Sequence, residues 1–203
     1  MSKSLPDLCI GLDGPQVRPI GIGTNAWGGV QAANSIPTNS TAVVKSALES
    51  GVRFFDTAEI YNRGRSERLL GEAIRYVADA LQEELDVVVA TKFAPLPYRV
   101  TTGSIVRALN GSRERIGLNR PLGLYQIHWP YTVLSTKTLM ATLASAKRDG
   151  SILELQIEGK SKSVFIAPTR FPSQLSGKKR NQCTIPRKEI DAQQSSIIYY
   201  FTP

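Results

Sequence analysis

The chain has 203 residues, of which 41% are hydrophobic and 21% are charged. These fractions are ordinary for a globular protein and exclude disorder throughout the chain. No apolar run approaches the ~18 residues that a membrane helix needs, and the segment after Met1 lacks the apolar region of a secretory signal. We therefore expect a cytoplasmic protein that does not associate with a membrane.

The net charge of +8 raises the question of a nucleic-acid partner. Residues 151–203 hold eight basic and four acidic residues, against 17 and 13 in the rest of the chain, so the main body is only mildly basic. The densest cluster, residues 178–180, contains no interleaved aromatic residue. We therefore expect no nucleic-acid partner.

The two cysteines, Cys9 and Cys183, lie far apart and lack the close spacing of a zinc ligand pair. Neither a disulfide framework nor a metal site is expected.

Short apolar runs alternate with amphipathic stretches between residues 18 and 150. The predicted strands are residues 18–23, 52–56, 86–92 and 123–128. The predicted helices are residues 41–50, a helix from about residue 66, residues 103–116 and residues 136–148. Asn39 or Ser40 is expected to cap the first helix, and Ser135 the last. Four strand–helix units indicate parallel strands joined by helical crossovers, in either a β/α barrel or an open doubly wound sheet.

The alternation stops after Gly150. Residues 152–157 alternate like one half-buried strand, and residues 164–166 could form another. From Pro168 onward the sequence is rich in Ser, Lys, Gln and Pro and has no helical periodicity. We therefore expect an irregular, poorly ordered basic tail.

Polar residues end three of the predicted strands, namely Asp56, Lys92 and His128, and Tyr61 follows the first of them closely. Parallel strands place their C-terminal ends at one face, where β/α barrels carry their active sites. Each residue also has a structural explanation: an aspartate can cap a turn, a lysine can reach solvent, and a lone histidine can be hydrogen-bonded core. The placement of all four residues at the same face favours an active site over these separate structural explanations.

The residues Gly21, Gly23 and Ala26 fit the G-x-G-x-x-G/A dinucleotide fingerprint superficially. That fingerprint requires a helix to start at once, so that the pyrophosphate can lie on its N-terminus. A glycine-rich polar loop follows instead, and the match is interpreted as accidental.

Several segments together resemble the aldo-keto reductase family. They are GVRFFDTAEIY at 51–61, SERLLG at 66–71, ATKF at 90–93, LYQIHWP at 124–130 and GIGT at 21–24. The resemblance covers roughly residues 15–150. It implies a parallel β/α barrel of the TIM type, of which about four units are recognisable. It divides the chain into a reductase-like part, 1–150, and a divergent tail, 151–203.

The resemblance implies an NADP(H)-dependent oxidoreductase that reduces the carbonyl of an aldehyde or ketone, with NAD(H) as the alternative cofactor. Tyr61 would be the acid, Lys92 and Asp56 would tune it, and His128 would orient the substrate. The chemistry agrees, because a nearby ammonium makes a phenol a stronger acid. Gly23, Thr24 and Asp56 are expected to bind the cofactor. Trp27 and Trp129 are expected either to wall the substrate pocket or simply to pack.

The family's barrel has eight such units, of which this chain shows about half. The Ser-Asn pair that normally ends the fifth strand and holds the cofactor's carboxamide does not follow Gly150. Two alternatives therefore stay open: a catalytically impaired, truncated homologue, and a cofactor-binding regulatory subunit resembling channel β-subunits. Exposed half-barrel edges would favour self-association.

Overall fold

The computed structural model describes residues 7–11, 14–29, 37–129, 133–157, 186–190 and 197–201, the last two ranges as backbone only. Nine strands lie in this part of the chain: β1 (Leu8–Cys9), β2 (Gln16–Val17), β3 (Ile20–Gly23), β4 (Phe54–Asp56), β5 (Val88–Phe93), β6 (Leu122–Ile127), β7 (Ile152–Ile157), β8 (Pro186–Ile190) and β9 (Ile197–Phe201). The helices are α1 (Pro37–Glu49), α2 (Arg65–Leu81), α3 (Thr102–Ile116) and α4 (Thr136–Arg148). A 3-10 turn, Tyr61–Gly64, precedes α2.

The main sheet has seven strands in the order β7-β6-β5-β4-β3-β9-β8. Strands β3 to β7 run parallel to one another, and a helix follows each of β3, β4, β5 and β6. The four predicted strand–helix units are therefore confirmed. The strand predicted at residues 152–157 is confirmed as β7, which pairs parallel with β6 and so continues the parallel sheet past Gly150.

The tail was expected to be irregular, but it contributes two strands to the sheet. Strand β9 pairs antiparallel with β3, and β8 pairs antiparallel with β9. The reason lies in the run IIYYF of β9, which consists of β-branched and aromatic residues that favour strands. The predicted strand at 164–166, the cluster at 178–180 and Cys183 lie outside the described residues.

Helix α1 begins about one turn earlier than predicted. It starts at Pro37, so Asn39 and Ser40 lie inside the helix and do not cap it. Proline suits a first helical turn because its fixed φ is helical and the missing N–H would have no partner there. The prediction for α4 was correct, since the side chain of Ser135 accepts a hydrogen bond from the backbone N–H of Thr138.

The parallel strands have two different faces. The outer face packs under the helices around large apolar side chains such as Phe55, Leu70 and Tyr125. The inner face carries a smaller cluster, in which Ile10 and Val17 of the N-terminal hairpin contact Phe54, Val88, Ala90 and Leu124. These strand residues lie toward the beginnings of their strands, so the apolar hairpin covers that end. The polar residues further along the same face gather at the C-terminal end.

Candidate active site

Asp56 and Lys92 form a buried ion pair at the C-terminal ends of β4 and β5. Lys92 Nζ lies 2.5 Å from Asp56 Oδ2, and the side chains of Lys92 and Asp56 are 2% and 4% exposed, respectively. The ammonium also donates to the carbonyl oxygen of Thr57 at 2.9 Å. Alternation along the strands points both side chains to the inner face. The sequence prediction that these two residues meet is therefore correct.

Tyr61 completes a chain of polar contacts with this pair. Lys92 Nζ lies 3.4 Å from the Tyr61 hydroxyl oxygen and 5.1 Å from the centre of its ring. Tyr61 is brought there by a tight turn, in which its N–H donates to the carbonyl oxygen of Ala58 at 3.0 Å. Asp56, Lys92 and Tyr61 thus come together from two strand–helix units.

The backbone that follows Tyr61 is unusual. Asn62 and Arg63 both adopt left-handed conformations, with φ of 49° and 56°. The Asn62 side chain compensates for this, because its Nδ2 donates to the carbonyl oxygens of Asn25 at 3.1 Å and Trp27 at 2.7 Å. These bonds fasten the turn that carries Tyr61 to the loop after β3.

His128, directly after β6, lies against the ring of Tyr61. The two rings meet edge to face, with centroids 5.6 Å apart and planes at 80°. The backbone N–H of His128 donates to the carbonyl oxygen of Phe93 at 2.9 Å, which continues the strand pairing and places His128 at the rim. All four residues predicted for the catalytic site therefore lie in one neighbourhood, at the C-terminal ends of three adjacent strands.

The three predicted cofactor-binding residues occupy different surroundings. Thr24 is fully buried, and its hydroxyl is within hydrogen-bond distance of the Asp56 carbonyl oxygen at 3.1 Å and of Ser66 Oγ at 2.6 Å. Gly23 is buried at the end of β3, and Asp56 is engaged with Lys92. The Thr24 hydroxyl is thus hydrogen-bonded to other groups inside the protein. The cofactor contacts stay a prediction.

The two tryptophans have different environments. Trp27 is only 5% exposed and packs within the outer core, which favours the packing alternative over the pocket wall. Trp129 is partly exposed and lies against His128, with ring centroids 4.8 Å apart and planes at 39°. Trp129 is thus the tryptophan that remains a candidate for a substrate contact.

No helix starts directly after Gly23. Residues 25–28 form a turn instead, as expected if the dinucleotide fingerprint is accidental.

A network of buried hydroxyls behind the site was not predicted. Ser66, at the start of α2, donates to the carbonyl oxygen of Thr24 at 2.7 Å and lies 3.1 Å from Thr57 Oγ1. This network fixes the backbone at Asp56 and Thr57. The carboxylate of Asp56 and the carbonyl oxygen of Thr57 in turn hold the Lys92 ammonium. Serine and threonine are too common for their spacing alone to reveal such a contact.

Two ion pairs beside the site were also missed. Glu59 is bound by Arg99, and burial, which lowers the pKa of Arg99, is outweighed by the hydrogen bond and charge of Glu59, so that this pKa is raised. Glu67 accepts from Thr91 Oγ1 at 2.6 Å and from Arg115 Nε at 2.5 Å, and its side chain is fully buried. Both acids lie within segments that carry the family resemblance, and two acids in buried positions are a signal that could have been followed.

A pair of side-chain amides continues the inner face across the next strands. Gln126 Nε2 donates to Gln156 Oε1 at 3.3 Å, and both side chains are largely buried. In the strand register Lys92 lies opposite Gln126, and Gln126 lies opposite Gln156. The polar row therefore runs over three strands.

Among the described residues there is no group of His, Cys, Asp or Glu that could hold a metal ion. The helices in the described part of the chain include none that is long and apolar enough to cross a membrane.

Comparison with known proteins identifies the class of protein that this fold and site define. The description of the aldo/keto reductase family matches residues 19–164, and the chain belongs to that family. The matched region includes β7 and ends within the tail. The division at residue 150 into a reductase-like part and a divergent tail stays a prediction.

The match with related sequences covers only part of the length of each relative. The chain is 41% identical over 122 residues to the chloroplastic pyridoxal reductase of Arabidopsis thaliana, covering 56% of this chain and 33% of that protein. It is 30% identical over 173 residues to the 6-dehydroglucose reductase of Novosphingobium aromaticivorans, covering 80% and 54%. A probable voltage-gated potassium channel subunit beta of Oryza sativa is 32% identical over 116 residues, covering 54% and 33%. The chain thus spans a third to about half of these relatives.

Solved structures support the same fold. An aldo-keto reductase of Klebsiella pneumoniae in complex with NADPH matches with a TM-score of 0.61 and 22% identity, over 75% of this chain and 49% of that one. The holo form of an aldo-keto reductase of Bacillus halodurans matches with a TM-score of 0.63 and 21% identity, over 77% and 51%. At these identities the likeness shows the fold, which is the β/α-barrel type of the family.

Proposed function

We propose that the chain is an NADP(H)-dependent oxidoreductase that reduces a small aldehyde or ketone to an alcohol, with Tyr61 as the proton donor. The observation that carries the proposal is the contact between the Tyr61 hydroxyl and the Lys92 ammonium at 3.4 Å, beside the buried pair with Asp56. Family membership gives the reaction class. The arrangement of the four side chains supports the individual roles proposed for them.

The proton must come from a group that is acidic enough near neutral pH. A free phenol, with a pKa of about 10, is a weak donor. The Lys92 ammonium favours the phenolate form of Tyr61 and so makes the phenol a stronger acid. Asp56 and the Thr57 carbonyl oxygen hold the ammonium in place by charge-assisted hydrogen bonds.

His128 is assigned the task of orienting the carbonyl oxygen of the substrate. Its ring lies edge to face against Tyr61, so an oxygen placed near the phenol hydroxyl would also lie near the imidazole. Polarising that oxygen makes the carbonyl carbon a better acceptor. Trp129, whose ring is tilted against that of His128, would then face the rest of the substrate.

The residues on the inner face suit the nicotinamide end of a cofactor. The side-chain amides of Gln126 and Gln156 lie next to Lys92 in the register and offer donors and acceptors complementary to a carboxamide. Gly23, Thr24 and Asp56 are proposed as further contacts. When bound, a reduced nicotinamide cofactor supplies the hydride that the carbonyl carbon requires. NADP(H) is favoured because the Klebsiella relative contains NADPH, with NAD(H) as the alternative.

The test is the consumption of NADPH by the full chain with a panel of aldehydes and ketones. We expect turnover that Tyr61→Phe abolishes, while NADPH binding, followed by tryptophan fluorescence, stays nearly unchanged. Reduction that survives Tyr61→Phe would rule out the proton-donor role. Self-association and a cytoplasmic location stay predictions.

A second candidate function is a cofactor-binding homologue that does not turn over. It is supported by the similarity to the rice channel subunit. NADPH binding without turnover on any carbonyl would favour this function. A chain that neither binds NADPH nor reduces carbonyls would contradict both functions.

A further inference from the structure

The turn that carries Tyr61 is tied to the end of strand β5 through Glu59. Glu59 Oε1 accepts from the backbone N–H of Ala94 at 2.6 Å. Arg99 contacts both carboxylate oxygens of Glu59, with Nη2 at 3.1 Å from Oε2, and donates to the carbonyl oxygen of Ala94 at 3.0 Å. The side chain of Glu59 is 6% exposed and that of Arg99 is 19% exposed.

These contacts lie next to the proposed proton donor and its partner. Glu59 precedes Tyr61 by two residues, and Ala94 follows Lys92 by two residues. Glu59 therefore joins the two backbone segments whose side chains must meet. The link is direct, whereas the hydroxyl network of Ser66 holds the backbone behind Asp56.

The chemistry of the link makes it rigid. A carboxylate this deeply buried requires hydrogen-bond partners for both oxygens, and Arg99 and Ala94 supply them. The bidentate contact with the Arg99 guanidinium also fixes the rotation of the carboxylate plane. Arg99 is itself held at the Ala94 carbonyl oxygen and lies over the ring of Phe93, with Cζ 5.2 Å from the ring centre.

We propose that Glu59 and Arg99 are a positioning pair that holds the Tyr61 hydroxyl beside the Lys92 ammonium. This inference rests on the proposed function, because it concerns the residue assigned there as proton donor. The attraction between an ammonium and a phenolate weakens as their separation grows. A looser turn would therefore make Tyr61 a weaker acid even though Tyr61, Lys92 and Asp56 are all still present.

The test follows the ionisation of Tyr61 directly and needs neither cofactor nor substrate. The full chain is titrated with alkali, and phenolate absorbance is recorded for the parent, Glu59→Gln and Arg99→Met. The chain has seven tyrosines, so each titration is repeated with Tyr61→Phe added, and the difference isolates Tyr61. We expect the parent Tyr61 to ionise below the ordinary pH of a phenol. In both variants its ionisation should move upward by about one pH unit.

Glu154→Gln is the matched control. Glu154 is also a largely buried carboxylate with a cationic partner, Lys147 Nζ at 2.9 Å, with side chains 10% and 32% exposed. It lies on β7 opposite Leu124, far from the turn of Tyr61 along the chain. This variant should leave the ionisation of Tyr61 unchanged. An equal shift in Glu154→Gln would mean that general loosening, rather than the pair, moves Tyr61.

A further variant covers the case in which Glu59→Gln fails to fold. Arg99→Lys keeps a cation beside Glu59 but loses the two-pronged contact, so a smaller upward shift is expected. Unchanged ionisation of Tyr61 in the folded variants would overturn the positioning role and leave the proposed function standing. A parent Tyr61 that ionises at the ordinary pH of a phenol would contradict the proton-donor mechanism, and the positioning pair with it.

Discussion

The hydroxyl of Tyr61 lies 3.4 Å from the ammonium of Lys92, although 31 positions separate the two residues in the chain. Parallel pairing of β4 with β5 brings their segments side by side, and the turn after β4 returns the phenol over the sheet. The ammonium is buried with Asp56, where a charge acts more strongly than it would in water.

Replacing Lys92 by Met should reduce turnover by about 10²-fold or more, because the phenol would lose the charge that makes it acidic. The same change leaves Asp56 buried without its partner and should destabilise the fold by about 3–5 kcal/mol. Adding Asp56→Asn should restore most of the stability without restoring activity. Denaturant unfolding and NADPH consumption measure the two effects separately. Stability and activity that return together would contradict the electrostatic role.

Tyr125→Phe should raise the free energy of unfolding by about 1 kcal/mol, because it removes a buried hydroxyl that makes no hydrogen bond within the described part of the chain. Tyr98→Phe is the control, since Tyr98 is 74% exposed and its change should have no effect. A loss of stability in Tyr125→Phe would show that the hydroxyl has a favourable contact. Denaturant unfolding is the measurement.

The same residue predicts a loss of stability at alkaline pH. Burial raises the pKa of Tyr125 well above its ordinary value, with a smaller contribution from the charges of Glu59 and Glu67. The pKa of Tyr125 is higher in the folded than in the unfolded chain. The contribution of the neutral phenol to stability is therefore complete below a pH of about 10, where tyrosine in the unfolded chain ionises, and is lost as the pH rises further. The free energy of unfolding, measured as the pH is raised across this range, should fall less steeply for Tyr125→Phe than for Tyr98→Phe. Identical slopes would exclude Tyr125 as the cause.

Arg63→Gly should stabilise the protein by up to about 1 kcal/mol, because Arg63 has a left-handed backbone that costs a residue with a Cβ about that much. The greater freedom of glycine in the unfolded chain offsets part of the gain. Arg68→Gly is the matched control: Arg68 is exposed inside α2, and glycine there should cost about 1 kcal/mol. Thermal unfolding distinguishes the two signs. Equal losses in both variants would mean that the turn is not strained.

Arg115→Met should destabilise the protein by about 3–5 kcal/mol, because it leaves the fully buried carboxylate of Glu67 without its cation. The double variant Glu67→Gln with Arg115→Met should recover much of that loss, since an amide can still accept from Thr91. Denaturant unfolding of the single and double variants checks both values. No recovery would show that the apolar stem of Arg115 matters more than its charge.

The sequence by itself determined the alternation of strands and helices from β3 to α4 and the meeting of Asp56, Lys92, Tyr61 and His128. Both follow from local patterns, because parallel strands connected by helices deliver their C-terminal ends to one face. Only the tertiary structure decided that Trp27 lies in the core, that the Thr24 hydroxyl faces Ser66, and that β9 pairs with β3. It also decided that Glu59 meets Arg99 across 40 positions. Such contacts depend on how distant segments close on one another, and residue types that are common everywhere carry no local mark of their partners.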